Sequence, residues 1–148
     1  MADDPKVRMV IGDWATLQHD AHMVRDTVFV EEQNVPREIE TDQMDPYCLH
    51  CVAYDADGTV LGTGRLLPDG HVGRMAVRAE ARGRGIGGMI LRTLMQQAQL
   101  RGDRKVVLNA QTHAQSFYQH HGFATSSPEF VEAGIPHVEM QVGFGEKK

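Results

Sequence analysis

A glycine-rich run, Arg82-Gly83-Arg84-Gly85-Ile86-Gly87-Gly88, constrains the fold of this chain more than any other segment. It follows an apolar, strand-like segment that ends at Val77, and it precedes a helical pattern that begins near Gly87. Glycines at the start of a helix leave several backbone N–H groups able to face one anion. The two arginines add positive charge beside those donors. The run therefore predicts a site for a phosphate or pyrophosphate between a strand and a helix.

The size and charge of the chain limit what such a site can bind. Its 148 residues suffice for one domain, residues 1–148, and 41% apolar and 24% charged residues are typical of a globular protein. The net charge of −5, from 15 Lys/Arg and 20 Asp/Glu, argues against nucleic acid as a partner. No segment approaches the roughly 18 consecutive apolar residues of a membrane span, and the first residues lack an apolar signal core. We therefore expect a cytoplasmic protein that does not bind membranes.

Two cysteines form a C-x-x-C motif, which is open to three interpretations: half a zinc site, a redox pair, or two buried thiols. Cys48 directly precedes the strand-like segment 49–54, and Cys51 lies within it. Residues three apart on a strand point to opposite faces, so they cannot share a metal. Neighbouring His120 and His121 point about 100° apart on a short predicted helix. We therefore favour buried thiols and expect no metal site.

The spacing of apolar residues divides the chain into strands and helices. Helices are predicted from a cap at Asp13 through Gln33, from near Gly87 to a C-terminal cap at Gly102, and over 112–121. Strands are predicted over 7–11, 49–54, 59–67, 71–77 and 105–109, with a final pair around 132–135. The core-facing positions of the first helix are Leu17, Ala21, Val24 and Val28. This order predicts an α/β protein with a mixed sheet covered by helices.

The same glycines also satisfy the pattern G-x-G-x-x-G, so a dinucleotide-binding fold has to be weighed. That fingerprint requires the first glycine close to the end of a strand, and an acidic residue closing the next strand about 20 residues on. Here Gly83 lies well beyond Val77, and Asp103 falls in a turn before a strand. A P-loop is also excluded, since no Gly-Lys-Ser/Thr follows. The anion site therefore belongs to another class.

Two motifs, in order, resemble those of the GNAT acyltransferase superfamily. The segment from Val77 through Arg82-Gly83-Arg84-Gly85-Ile86-Gly87 resembles its pyrophosphate-binding pattern, Gln/Arg-x-x-Gly-x-Gly/Ala. The segment Ala114-Gln115-Ser116-Phe117-Tyr118-x-x-x-Gly122-Phe123 resembles its later FYxxxGF-like segment. The strand order and the interval between the motifs also match, so the resemblance covers nearly the whole chain.

Three further segments resemble the ElaA-like branch of this superfamily. They are Val28-Phe29-Val30-Glu31-Glu32-Gln33, Glu40-x-Asp42-x-x-Asp45 and Gly134-Ile135-Pro136-His137.

The resemblance implies a GNAT-like acyl-CoA N-acyltransferase fold with acetyl-CoA as cosubstrate. Its sheet would be mostly antiparallel, with helices on both faces and a splayed parallel pair, here 71–77 and 105–109. The pantetheine arm would lie between these two strands, and the pyrophosphate would bind the backbone of the glycine-rich run. The implied contacts with coenzyme A are Met75, Ala76, Val77, Arg82, Gly83, Arg84, Gly85, Ile86, Gly87, Asn109 and Tyr118.

The implied reaction is direct attack of a primary amine on the acetyl thioester. Tyr118 occupies the place of the family's general acid, and a phenol is suited to protonating a thiolate. The base is open between Glu32, whose pKa a buried cleft could raise, and His137, an imidazole; a chain of waters could replace both.

A group of acidic residues precedes the second long strand, and we expect it to attract a cationic amine. The implied acceptor is therefore the amine of a small molecule or a peptide. A non-catalytic sensor of acyl-CoA is the alternative, and a homodimer is an expectation from the family that no sequence feature tests. The acidic residues are Glu31, Glu32, Glu38, Glu40, Asp42 and Asp45.

Overall fold

The computed structural model describes residues 5–36 and 42–144. Its strands are β1 (Arg8–Gly12), β2 (Leu49–Tyr54), β3 (Val60–Leu66), β4 (His71–Val77), β5 (Lys105–Gln111), β6 (Ala124–Thr125), β7 (Phe130–Glu132) and β8 (Ile135–Gly143). Its α-helices are α1 (Trp14–Arg25), α2 (Ile86–Leu100) and α3 (Gln115–His120), and a π-helical segment (Asp26–Glu32) extends α1. Short 3-10 turns are Asp45–Tyr47, Ala79–Ala81 and Thr112–Ala114.

The strands form one sheet in the order β1-β2-β3-β4-β5-β8-β6, with β7 paired to β8. Neighbouring strands run antiparallel except β4 and β5, which run parallel. A mostly antiparallel sheet with one parallel pair is the predicted architecture, and it is confirmed.

Helices cover both faces of the sheet because successive strand residues point to opposite sides. Cys51 and Ala53 pack with the apolar face of α2, whereas Val52, between them, packs with α1. The predicted core positions of the first helix are all buried, namely Leu17, Ala21, Val24 and Val28. Two apolar cores therefore hold the sheet in place from either side.

Close approach of α2 to β3 depends on two glycines. A Cβ at Gly62 would lie 3.0 Å from Ile90 Cδ1, and one at Gly64 would lie 2.9 Å from Ile90 Cγ2 and 3.0 Å from Leu94 Cδ1. Such distances are shorter than carbon contacts allow. The missing side chains thus let the helix that follows the glycine-rich run lie directly on the sheet.

Local sequence patterns correctly predicted where most helices and strands begin and end. Asp13 caps α1, since its Oδ1 accepts a hydrogen bond of 2.9 Å from the Thr16 N–H. Gly102, at φ +95°, ends α2. The first predicted helix does not stay α-helical through Gln33, because residues Asp26–Glu32 form the π-helical segment instead. The chain ends with three strands where two were predicted, because β6 has only two residues and produces no recognisable strand pattern.

The C-x-x-C motif consists of two buried, free thiols, as favoured from the sequence. Cys48 Sγ donates to the Met44 carbonyl oxygen at 3.2 Å, just before β2. Cys51 lies within β2, where burial raises the pKa of its thiol to about 12. Both cysteines are packing residues.

Within residues 5–36 and 42–144, no helix has the length and apolar character that crossing a membrane requires.

Candidate functional site

An open slot separates β4 from β5 along most of their length. Within these two strands, which the structure describes in full, the paired residues are only His71 with Val107 and Val72 with Leu108. On its other edge, β5 pairs along its whole length with β8. The backbone of β4 from Gly73 onward is therefore free of β5, and the predicted splayed pair is confirmed.

A β-bulge in β4 accounts for the divergence. Thr63 pairs with Ala76 and Arg65 pairs with Gly73, so Gly64 alone lies opposite both Arg74 and Met75. Arg74 adopts φ +50°, a left-handed conformation that costs a residue with a side chain about 1 kcal/mol or more. Bulges increase local strand twist, which turns the end of β4 away from its neighbour.

The slot contains two adjoining openings. The first, which we call the Tyr118 cavity, has a volume of about 580 Å³ and is bordered by Met75, Asn109, Tyr118, Glu132 and His137 among others. The second, the Arg82 cleft, is bordered by Glu32, Met75, Ala76, Val77 and Arg82 among others. Both openings share Gln33, Met75, Gln111 and Ile135. The slot therefore connects Arg82, the first residue of the glycine-rich run, to the cavity around Tyr118.

The glycine-rich run forms a loop that ends at the N-terminus of α2. Gly85 is the N-cap at φ +79°, without a side-chain hydrogen bond, and Gly83 has φ +86°. Both need glycine for these left-handed conformations. A Cβ at Gly87 would make only an ordinary contact, 3.6 Å from Phe117 Cζ. Because the first N–H groups of a helix lack intrahelical acceptors, the loop presents donors and the positive end of the helix dipole to an anion.

Both arginines of the run form ion pairs with carboxylates. Arg82 binds Glu32 through two hydrogen bonds of 2.7 and 2.8 Å and donates Nε to the Val77 carbonyl oxygen at 3.0 Å. Arg84 pairs with Asp55 at 3.1 and 3.2 Å. A phosphate that bound either guanidinium would therefore have to compete with a carboxylate. The sequence did not indicate these ion pairs.

Glu32 does not have the raised pKa expected of a base. The hydrogen bonds from Arg82 hold the pKa of its carboxyl below the ordinary value, against a smaller opposing effect of burial. A carboxylate paired in this way is a weak proton acceptor. The prediction of an upward-shifted pKa is wrong, because the partner of Glu32 comes from a distant part of the chain.

Tyr118 lies on α3 at the border of the cavity. Its ring packs edge-on against Phe117, with centroids 5.0 Å apart, and against Phe123 at 6.0 Å. Burial raises the pKa of its phenol to about 12. The group therefore stays protonated at neutral pH and can act only as a proton donor there.

His137 is a buried residue of β8 that also borders the cavity. Its Nδ1 lies 2.7 Å from the carbonyl oxygen of Ile135, and its ring stacks on Phe130 with centroids 6.0 Å apart. A carbonyl oxygen only accepts, so Nδ1 carries the hydrogen and Nε2 of the neutral ring keeps a lone pair. The backbone contact thus leaves Nε2 as the basic nitrogen of the neutral ring.

Glu132 is a cavity residue to which the sequence assigned no role. The amide of Asn109 donates to its Oε1 at 3.0 Å, and its Oε2 lies 4.0 Å from His137 Nε2. Asn109, predicted to contact coenzyme A, is therefore committed to Glu132 in this structure. The hairpin between β7 and β8 pairs Glu132 with Ile135 and Phe130 with His137, which sets Glu132 near His137.

Asp42 and Asp45, the described acidic residues just before β2, are paired with arginines and are not open to a cationic amine as expected. Asp45 is buried and binds Arg25 at 2.9 Å and Arg65 at 2.7 Å, and Asp42 binds Arg65 at 2.8 Å and Arg74 at 3.3 Å. These carboxylates neutralise arginines and anchor the segment to β3 and β4. Glu38 and Glu40 lie outside the described residues.

An open slot between two parallel strands, with a glycine-capped helix N-terminus at one end and Tyr118 and His137 at the other, is the arrangement predicted for an acyl-CoA N-acyltransferase. The chain belongs to the GNAT acetyltransferases, because that family's model, an acetyltransferase (GNAT) domain, matches residues 17–144. Enzymes of this family use acetyl-CoA and act on amines.

Three similar proteins support this assignment. The uncharacterized N-acetyltransferase YjcF of Bacillus subtilis (strain 168) is 43% identical over 125 residues, covering 82% of this chain and 89% of that protein. Protein ElaA of Escherichia coli (strain K12) is 31% identical over 144 residues, covering 86% and 94%. The crystal structure of an acyl-CoA N-acyltransferase from Pseudomonas aeruginosa has a TM-score of 0.82 at 30% identity, covering 91% of this chain and 98% of that one. The predicted resemblance to the family and its ElaA-like branch is confirmed.

Proposed function

We propose that this protein transfers an acetyl group from acetyl-CoA to the primary amine of a small molecule or peptide, by direct attack within a ternary complex. One observation carries the proposal: a continuous slot leads from the glycine-rich loop to a cavity that holds a proton donor and a basic nitrogen. Direct attack requires both substrates side by side, and a slot that meets a cavity offers room for both.

The residues of the slot fit coenzyme A. The loop around Gly83 and Gly85 offers N–H donors for a pyrophosphate, and the unpaired edge of β4 offers backbone groups to an extended amide chain at Met75, Ala76 and Val77. Arg82 would exchange its carboxylate partner for a phosphate oxygen. Acetyl-CoA, when bound, supplies a thioester carbonyl as electrophile and a thiolate as leaving group.

Two side chains of the cavity divide the proton transfers. His137 Nε2 accepts a proton from the ammonium, so that the nitrogen gains a lone pair for attack on the acetyl carbon. Tyr118 gives its phenolic proton to the departing sulfur as the carbon–sulfur bond breaks. The second proton of the new amide nitrogen restores the phenol, and the imidazolium releases its proton to solvent. The net products are an amide, a thiol and one proton.

His137 is a better candidate for the base than Glu32. The carboxylate of Glu32 is held at low pKa by Arg82, in the cleft where the cofactor's phosphates are expected. His137 instead borders the cavity and has a lone pair fixed by its backbone contact. We therefore assign Glu32 to the cofactor end of the slot and proton removal to His137.

The test is an assay of thiol release from acetyl-CoA with a panel of polyamines, amino sugars, aminoacyl compounds and peptides. Amine-dependent release that falls at least about 100-fold in His137→Gln, with unchanged acetyl-CoA affinity, is expected for the loss of a general base. Acetyl-CoA binding without release on any amine would contradict the proposal and favour an acyl-CoA sensor. Equal rates in wild type and His137→Gln would remove His137 from the mechanism.

A further inference from the structure

Among the residues that the structure describes, Glu132 is a carboxylate of the Tyr118 cavity with no arginine or lysine in close contact. The cavity lining that the structure describes includes three carboxylates. Asp42 is bound by Arg65 and Arg74, and Asp69 accepts a hydrogen bond of 3.0 Å from the main-chain N–H of His71. Glu132, whose side chain is 47% exposed, receives only the neutral amide of Asn109 within hydrogen-bonding distance.

The second oxygen of Glu132 faces another acceptor. Its Oε2 lies 4.0 Å from His137 Nε2, the ring nitrogen that carries the lone pair when the imidazole is neutral and Nδ1 donates to the Ile135 carbonyl oxygen. Two acceptors at that distance are too far apart to share a direct hydrogen bond. A group with several N–H donors could bind both at once, and an ammonium has three.

We propose that Glu132 and His137 together bind the ammonium of the acceptor, so that the preferred acceptor is a protonated alkylamine. Glu132 neutralises the incoming charge, Asn109 holds Glu132 in position, and His137 lies beside the nitrogen whose proton it removes. The inference rests on the proposed function, since it assigns the acceptor end of the same site. It also assigns the attraction of the cationic amine to Glu132 and not to the acidic segment before β2.

The test compares benzylamine, a monocation at neutral pH, with the uncharged benzyl alcohol. Their binding to the protein saturated with coenzyme A is followed by ligand-observed NMR titration. Wild type should bind benzylamine more tightly than the alcohol, and Glu132→Gln should weaken benzylamine binding about 10-fold while leaving the alcohol unchanged, as expected for a charged hydrogen bond that is partly solvated. No wild-type preference for the amine, or an equal loss for both compounds in the variant, would overturn the proposal.

Kinetics with benzylamine separate this inference from the proposed function. Glu132→Gln should raise the KM for the amine about 10-fold, change kcat less than about threefold, and leave the KM for acetyl-CoA unchanged. Glu129→Gln is the matched control, because it removes the same charge from the exposed segment before β7 and outside the cavity. Turnover with an unaltered KM in Glu132→Gln would refute the inference alone, whereas selective binding without turnover would refute only the acetyl transfer.

Asn109→Ala distinguishes the two roles available to that residue. If Asn109 positions Glu132, the KM for benzylamine should rise about threefold, in keeping with the loss of one hydrogen bond to a charged group, and the Kd of acetyl-CoA should not change. A weaker Kd for acetyl-CoA with an unchanged amine KM would instead place Asn109 on the cofactor and contradict its positioning role.

Discussion

Replacing Asp45 by Asn tests how the wall of the cavity is held together. Asp45 is 2% exposed and shares its charge between two buried arginines, forming two hydrogen bonds of 2.9 Å with Arg25 and one of 2.7 Å with Arg65. Arg65 in turn holds Asp42 at the border of the cavity. Asp45→Asn keeps the size of the side chain and removes only its charge, so it leaves two buried guanidinium groups without their shared carboxylate.

The expected loss of stability is large. Removing one partner of a buried ion pair costs about 3–5 kcal/mol, because the remaining charge stays buried without compensation. For a chain of this size each kcal/mol corresponds to about 2–4 °C in Tm, so we expect a decrease of about 6–20 °C. A domain is stable by only about 5–15 kcal/mol in total, so the variant should fold but be markedly weakened.

Acidification gives a second signature with a defined sign. Burial by itself raises the pKa of the Asp45 carboxyl, but the hydrogen bonds and charges of Arg25 and Arg65 outweigh burial and hold the pKa below its ordinary value. The stabilisation is therefore fully present above the unfolded-state pKa of about 4 and is lost as the pH falls through the folded value. Stability of the wild type should decrease more steeply with acid below about pH 4 than that of Asp45→Asn.

Urea unfolding followed by circular dichroism, repeated from pH 7 to pH 3, measures both effects. Asp103→Asn is the matched control, since Asp103 pairs with Arg101 in a partly exposed contact worth about 1 kcal/mol or less. A loss below 1 kcal/mol in Asp45→Asn at pH 7, or parallel pH profiles for variant and wild type, would show that the buried carboxylate does not anchor this wall.

Three further predictions concern the slot. Tyr118→Phe should lower turnover about 100-fold or more with little change in the Kd of acetyl-CoA, as expected for loss of a general acid, and an undiminished rate would exclude this role. Gly83→Ala and its control Gly58→Ala both place a Cβ in open space, at φ +86° and +87°. Each variant should lose about 1–2 kcal/mol of folding stability. Calorimetry should show weaker acetyl-CoA binding only in Gly83→Ala. Glu32→Gln should tighten acetyl-CoA binding up to about fivefold, because it frees Arg82 from a half-exposed ion pair; weaker binding would argue that Glu32 orders the loop.

Much of the fold was readable from local patterns. The cap at Asp13, the end of α2 at Gly102 and the strands on either side of the slot follow from residues close in sequence, since capping and strand spacing act over a few residues. The π-helical form of Asp26–Glu32 and the two-residue β6 were not predicted, because neither produces a periodic pattern of its own.

The site residues show the same difference between features set by nearby residues and features set by distant ones. Backbone conformation in the glycine-rich run depends on the glycines themselves, so the anion loop was predictable from residues 82–88 alone. The ion pairs were not, since Glu32 and Arg82 are 50 residues apart, and Asp45 meets arginines from both α1 and β3. Sheet register and helix packing determine which charged side chains come into contact. They pair Glu32, one of the two candidate bases, with Arg82, and they set Glu132 beside His137.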